Sequence, residues 1–254
     1  MSQSQPRQAR PTRVKLLVTC LIDTIYPQVG FSTLTLLERL GVGVDVPPNQ
    51  TCCGQPAFNS GSWDDARAMA RHLIDVFGDD DVPVVVPSGS CGDMVIHQAP
   101  HLLKDDVQYG ARAATLAART YELTQFIVDV LGVTDVGARS GDRLTYHPAC
   151  HGLRGLGVAR QPLALLEKID GPPRCPLPDA ETCCGFGGLF AVKLSEVSGS
   201  LLDRKIASIE ASGADTLVAT DVSCLMHIAG GLHRKGSAVK VKHLAEVLAE
   251  ARQQ

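Results

Sequence analysis

Eight of the nine cysteines in this 254-residue chain fall into two sets of four. Cys20, Cys52, Cys53 and Cys91 form the first; Cys150, Cys183, Cys184 and Cys224 form the second. In the first set 31 residues precede the adjacent pair and 37 follow it; in the second the gaps are 32 and 39. Both pairs sit in Thr-Cys-Cys-Gly, at 51–54 and 182–185, and matching cysteines lie 130 to 133 residues apart. Free cysteine can serve as a small buried apolar side chain, but that role demands no spacing. The doubled pattern reads as two homologous halves, 14–137 and 142–251, behind a flexible tail at 1–13. Residues 137–142, Gly-Ala-Arg-Ser-Gly-Asp, have the composition of a linker. Cys175 stands outside the pattern and is read as structural.

Four convergent thiolates support structural zinc, an iron–sulfur cluster, or thiol–disulfide exchange. Structural zinc commonly uses compact C-x₂₋₄-C pairs, which these spacings do not supply. A Cys52–Cys53 disulfide would strain the intervening peptide bond, and the chain has no C-x-x-C motif. Adjacent cysteines reach different metal ions of one cluster more easily than they share one ion, and soft thiolates suit iron–sulfur assemblies. The cubane spacing C-x₂-C-x₂-C-x₃-C-P is absent. Gly54, Gly185, Gly187 and Gly188 follow the pairs, and Gly89 and Gly92 flank Cys91. Such glycines let backbone approach a ligand and present N–H groups to sulfur.

Histidines stand beside the second set: His147 and His151 around Cys150, and His227 three residues after Cys224. His151 and His227 are the candidate accessory ligands, with ordinary hydrogen bonding as the alternative for each. His97 and His101 carry less weight. Arg154 or His151 could serve a substrate pocket, although an arginine is more often a surface residue. No G-x-G-x-x-G follows a strand, and no phosphate-binding G-x-x-x-x-G-K-S/T occurs. A flavin or nicotinamide needed for hydride chemistry would therefore come from a partner.

The elements that must position these residues follow from apolar periodicity. Residues 14–19 and 143–147 read as strands delivering Cys20 and Cys150. Residues 82–87 and 216–220 read as strands before Cys91 and Cys224, with Pro83 and Pro87 placing the first near a sheet edge or restricting its pairing. Residues 42–46 and 239–241 are weaker strand candidates. Helices are expected around Leu34, Leu37 and Leu40; from Ser62, with Asp65 completing a capping box, through Phe77; from Leu123 to Leu131; and around Leu202, Ile206 and Ile209. Met69 falls on the apolar face of the second and reads as core. The fold class is α/β: two homologous repeats, each a small, mostly parallel sheet flanked by helices, related by a pseudo-twofold. Ligands of such sheets sit beyond the C-terminal strand ends, where the cysteine loops of each half would meet.

Composition limits the partners. A net charge of -3 implies no broad cationic surface, and aromatics make up only 4%, so nucleic acid is not expected. At 44% hydrophobic and 20% charged the chain is not disordered. No apolar run is long enough to span a membrane, and none near the N-terminus resembles a signal sequence. A cytoplasmic location is expected, where cysteines bind metal or do chemistry more often than they pair.

The doubled C-x₃₁-CCG-x₃₆-C arrangement resembles the cysteine-rich CCG-domain family, which includes the cysteine-rich subunit of heterodisulfide reductase and the iron–sulfur subunit of glycolate oxidase. The resemblance covers nearly the whole chain. It is carried by Thr-Cys-Leu-Ile-Asp at 19–23, Gln-Thr-Cys-Cys-Gly-Gln-Pro-Ala-Phe-Asn-Ser-Gly at 50–61 and Pro-Ser-Gly-Ser-Cys at 87–91. In the second half it is carried by Tyr-His-Pro-Ala-Cys-His at 146–151, Glu-Thr-Cys-Cys-Gly-Phe-Gly-Gly at 181–188 and Cys-Leu-Met-His at 224–227. Within the family it is similar to the lactate-utilisation branch. That resemblance implies an iron–sulfur electron-transfer component of a complex that oxidises L-lactate to pyruvate. The partners implied are a companion iron–sulfur protein and a third small protein. It implies up to one 4Fe-4S cluster per repeat on the eight cysteines. The reductase motif ends in C-x₂-C, whereas Met94 and His227 stand at the last position here, so four thiolates per half are expected where the reductase has five. A thiol or heterodisulfide oxidoreductase and a zinc-stabilised scaffold are the alternatives.

Overall fold

The computed structural model describes residues 10–250, so tail residues 1–9 and residue 251 of the second repeat lie outside the described residues. Four strands, β1 (Arg13–Leu16), β2 (Gly43–Asp45), β3 (Val84–Val86) and β4 (Thr120–Glu122), form one sheet in the order β2-β1-β3-β4. The second sheet holds β5 (Leu144–His147), β6 (Thr216–Ala219) and β7 (Lys240–His243) in the order β5-β6-β7. Every pairing is parallel. Chain order makes β1, β3 and β4 the counterparts of β5, β6 and β7; β2 is extra.

β3 is interior, between β1 and β4, which corrects the edge position expected from its prolines. Pro83 and Pro87 lie just outside its three residues, so neither breaks the ladder by lacking an N–H. Pro83 contributes its carbonyl, which accepts from the Lys15 N–H at 2.8 Å.

The interior strands β3 and β6 are buried on both faces, which is why they read as apolar runs. Val85, Leu144, Tyr146 and Val218 face a core that both halves share. Val84 and Val86 face a second core confined to the first half, and Leu217 and Ala219 face a third confined to the second. A fully buried valine or leucine in such a core contributes about 1.5–3 kcal/mol. The halves therefore share their largest apolar cluster.

The shared core is built reciprocally. The helix Pro27–Arg39 of the first half packs on Leu244–Ala249 of the second, and Arg160–Leu166 of the second packs on Leu123–Gln125 of the first. Cys20–Thr24 meets Val222–Arg234, and Gly89–Asp93 meets the π-helical turn His151–Gly155. Each contact has a counterpart with the halves exchanged. The helix Trp63–Phe77 follows Ser62 as expected, but the Ser62 side chain makes no capping bond. Asp64 in its first turn pairs with Arg67 at 2.7 Å. Met69 is half-buried.

The last strand of each half runs into a helix whose N-cap is buried and polar: Glu122 after β4, His243 after β7. One Glu122 oxygen accepts from the Thr124 and Gln125 N–H groups; the other has no partner. Burial pushes the Glu122 carboxyl up to about 7. Below about pH 4.5 it is protonated whether the chain is folded or not; between there and pH 7 only the folded chain keeps the proton. Stability should therefore fall as pH rises through this window, by on the order of 3 kcal/mol. Denaturation midpoints of wild type and Glu122→Gln, compared across pH 4.5–8, check this. The difference between them should grow with pH in favour of Glu122→Gln, and a constant difference would refute it.

Candidate metal centre

Strand ends bring the cysteines to one place. β1 and β5 end just before Cys20 and Cys150, while β3 and β6 lead into the short turns before Cys91 and Cys224. Those turns begin at matched N-caps. The Ser88 hydroxyl accepts from the Cys91 N–H, and the Asp221 carboxylate accepts from the Ser223 N–H. The adjacent pairs arrive on loops pinned by side chains. Gln50 accepts from the Val18 N–H and donates to the Leu16 carbonyl, and Gln55 donates to the Ser90 carbonyl. In the second half the Lys205 ammonium, wholly buried, donates to the carbonyls of Asp179 and Ala180, just before the pair.

All eight cysteines line a single cavity of about 210 Å³. The expectation placed four at the end of each sheet; the structure puts both groups against one space between the halves. Close backbone approach permits this. A side chain at Gly89 would lie 2.8 Å from the Gly152 backbone, so only glycine lets these two cysteine-bearing turns touch.

Within each half neighbouring thiols act on one another's ionisation in sequence: Cys20, Cys52, Cys53 and Cys91, and Cys150, Cys183, Cys184 and Cys224. The Cys184 and Cys224 sulfurs are 3.1 Å apart. Donation from Cys20 and Cys53, helped by the Gly54 N–H, holds Cys52 well below the usual thiol range. Cys150, Cys184 and the Gly185 N–H, 3.3 Å from the sulfur, do the same for Cys183. The flanking thiols Cys20, Cys53, Cys150 and Cys184 are pushed up, chiefly by these contacts and then by burial. Each half thus centres on one thiolate, the chemical state that binds soft metals.

The histidines divide differently from expectation. His151 lines the cavity, and its Nδ1 lies 2.8 Å from Asp93, which also holds His97 at 2.9 Å. His227 faces the Ser198 hydroxyl at 3.3 Å and stacks at a tilt on Phe186. Among the described residues the compact donor group is His147, Cys184 and Cys224, whose ligand atoms all lie within 4.8 Å of one another. Burial, followed by the nearby Lys205 ammonium, pulls the His147 imidazole down to about 4, keeping it neutral. His147 sits three residues before Cys150 on an apolar strand, and nothing in that spacing separates it from His151. Met94 is fully buried in a cluster with Cys53 and Ala66. Arg154 is exposed and donates to the Glu181 carbonyl on the outer surface, away from the cavity lining. Cys175 lies beside β5, its backbone N–H donating to the Leu144 carbonyl and its own carbonyl accepting from the Thr145 hydroxyl.

Gly185 has φ +89°, and a side chain there would lie 2.6 Å from the Ser198 carbonyl oxygen; at Gly54, with φ +94°, the nearest atoms are 3.4 Å away. Gly185→Ala should therefore displace the second loop and cost roughly 2–4 kcal/mol, against about 1 for Gly54→Ala. Thermal unfolding of the two variants tests the order, and equal losses would contradict it.

A cysteine-rich domain model, CCG, matches residues 14–96 and 144–229, which together carry all eight of these cysteines. The chain belongs to the CCG cysteine-rich domain family. Outside the shared cysteines the likeness extends along the whole CCG chain. It is 50% identical over 238 residues to lactate utilization protein A of an Exiguobacterium species, covering 93% of this chain and 97% of that one. It is 50% identical over 236 residues to lactate utilization protein A of Geobacillus kaustophilus, covering 93% and 98%. An aspartate racemase homologue from Pyrococcus horikoshii aligns over 94% of this chain and 96% of that one at a TM-score of 0.33 and 12% identity, too weak a likeness to support any argument.

The residues of this CCG pair fit an iron–sulfur group on their own chemistry. Four-ligand zinc, with bonds of about 2.3 Å, needs its four sulfurs mutually about 3.8 Å apart. Eight soft thiols around one cavity, two adjacent pairs among them, supply donors for several linked metal ions. Among the described residues no helix is long and apolar enough to cross a membrane.

Proposed function

We propose that this protein is the iron–sulfur electron-transfer component of a system that oxidises L-lactate to pyruvate. The observation that carries this is the meeting of two matched four-thiol chains in one cavity, in a chain half identical to lactate utilization protein A along nearly its entire length. Cys20, Cys52, Cys53 and Cys91 would hold one cluster; Cys150, Cys183, Cys184 and Cys224 would hold the other. Such clusters supply one-electron transfer. The chain itself supplies thiolates at Cys52 and Cys183, backbone N–H groups at Gly54 and Gly185, and a largely apolar wall that limits water. The reciprocal helix contacts support a pseudo-twofold relating repeats 14–137 and 142–251, with both sites on the seam between them. The companion iron–sulfur protein and a third small protein complete the lactate-oxidising complex, in the cytoplasm.

Anaerobic purification followed by iron, sulfide and zinc analysis tests this reading. About four irons per half, with matching sulfide and visible absorbance, are expected for 4Fe-4S centres. Two zincs and a colourless protein would defeat it in favour of a scaffold. Growth of a deletion strain on L-lactate, compared with glycolate, tests the substrate; loss on L-lactate alone is expected.

A further inference from the structure

The second half carries, at the end of β5, a group that the first half lacks. His147 is 1% exposed; neither ring nitrogen makes a well-aligned hydrogen bond, and the Ala180 backbone is the acceptor beside it. A buried polar group without a good partner is costly unless a ligand meets it. Three residues before the first cysteine of the other half, the matching residue is Leu17, buried in an apolar cluster with Val84 and Val86. The fold thus accepts a plain hydrocarbon here, and the second half departs from it.

What the imidazole faces is sulfur. Its ligand nitrogen and the Cys184 and Cys224 sulfurs lie within 4.8 Å of one another, and all three residues are buried. On the other side lies the Ala180 backbone, whose carbonyl is fixed by the Lys205 ammonium at 3.0 Å. A metal-bound histidine ordinarily directs its second ring N–H at a carbonyl or carboxylate, which sets the ring's tautomer and orientation. Lys205 is itself confined to the second half: the apolar face of the helix Trp63–Phe77 carries Leu73 where the helix Ser195–Ala211 carries Lys205.

We infer that His147 is a nitrogen ligand of the second-half metal site, alongside Cys184 and Cys224, so that the two halves hold chemically unlike centres. The inference rests on the cluster reading above. The first half is a sulfur-only site; the second is mixed sulfur and nitrogen, with a buried cation close by. Because ligand identity sets a cluster's reduction potential, the added nitrogen donor should give the second half a potential different from that of the first.

The test uses the full chain, loaded anaerobically with iron and sulfide after growth on ¹⁵N-histidine or its ¹⁴N form. Pulsed electron paramagnetic resonance should show coupling from a directly bound histidine nitrogen on one of two cluster signals. That coupling should vanish in His147→Leu and persist in His151→Leu and His227→Leu. In a potentiometric titration of His147→Leu, one midpoint should shift while the other stays. Clusters without bound-nitrogen coupling in the wild type, or coupling that survives His147→Leu, overturn the inference while leaving the cluster reading intact. Should His147→Leu not fold, the other two variants decide: coupling kept in both supports His147, and coupling lost in either overturns it. A chain that takes up no iron and sulfide overturns the cluster reading and this inference together.

Discussion

On the proposed reading of one cluster per half, Cys184→Ser should leave a protein that retains about half of its iron and sulfide. Cys184 is 3% exposed and its sulfur is 3.1 Å from that of Cys224, while on the other side it touches Cys183. Serine preserves the shape of the side chain but replaces a soft thiolate with a hydroxyl that stays protonated at neutral pH. The first-half thiols Cys20, Cys52, Cys53 and Cys91 are untouched, so their centre should load normally. Lactate oxidation by the assembled system should fall by roughly 100-fold or more, since even residues that only support a metal ligand typically change affinity or activity by 10–100-fold. The mirror variant Cys53→Ser should remove the other half of the iron. Iron, acid-labile sulfide and visible absorbance measured on both variants decide the point. Complete loss of iron from either would show that the two halves build one joint centre.

Asp221→Ala should lower folding stability by about 3–5 kcal/mol. Asp221 is 2% exposed and acts in both halves at once. One carboxylate oxygen accepts from the Ser223 N–H and hydroxyl, capping the helix that carries Cys224. The other accepts from the Ser90 N–H at 2.8 Å and lies 3.4 Å from the Ser88 hydroxyl, on the turn that carries Cys91. Losing a cap costs about 1 kcal/mol, and each buried bond to a charged acceptor contributes about 1.5–3. Alanine also leaves the Ser90 N–H without its partner in the interior. Asp221→Asn keeps one acceptor oxygen and should fall between wild type and alanine. Because the lost bonds cross the seam, the alanine variant should also retain its first-half centre less well than the asparagine variant. A thermal unfolding series gives the order; an alanine variant within about 1 kcal/mol of wild type would show that Asp221 does not clamp the halves.

Much of the positioning was legible because it depends on local pattern. Apolar runs announced β3 and β6, since strands buried on both faces carry no polar alternation. Apolar residues at helical spacing announced the helices Trp63–Phe77 and Ser195–Ala211. β4 was not legible: Thr-Tyr-Glu at 120–122 is too short to show a period, and it is a strand because the Val84–Val86 ladder pairs with it. The capping box expected of Ser62 and Asp65 did not form: the Ser62 side chain makes no capping bond. The prolines misled about β3 because a proline one residue outside a strand costs the ladder nothing and can still accept through its carbonyl.

By itself the sequence determined the repeat, the eight sulfurs and their grouping into fours, because cysteine spacing survives as linear information and each cysteine follows a strand or glycine turn of its own half. Only the tertiary structure decided that both groups open onto one cavity, that Asp221 ties a turn from each half together, and that His147, rather than His151 or His227, stands beside the Cys184 and Cys224 sulfurs. Those facts depend on how two similar halves pack against each other and on which face of β5 a side chain occupies. Contacts across 58 to 133 residues, such as His151 to Asp93 and Asp221 to Ser88, leave no periodic trace along the chain. They arise because burying the shared core of Val85, Tyr146 and Val218 fixes the seam, and the seam then chooses which polar groups meet.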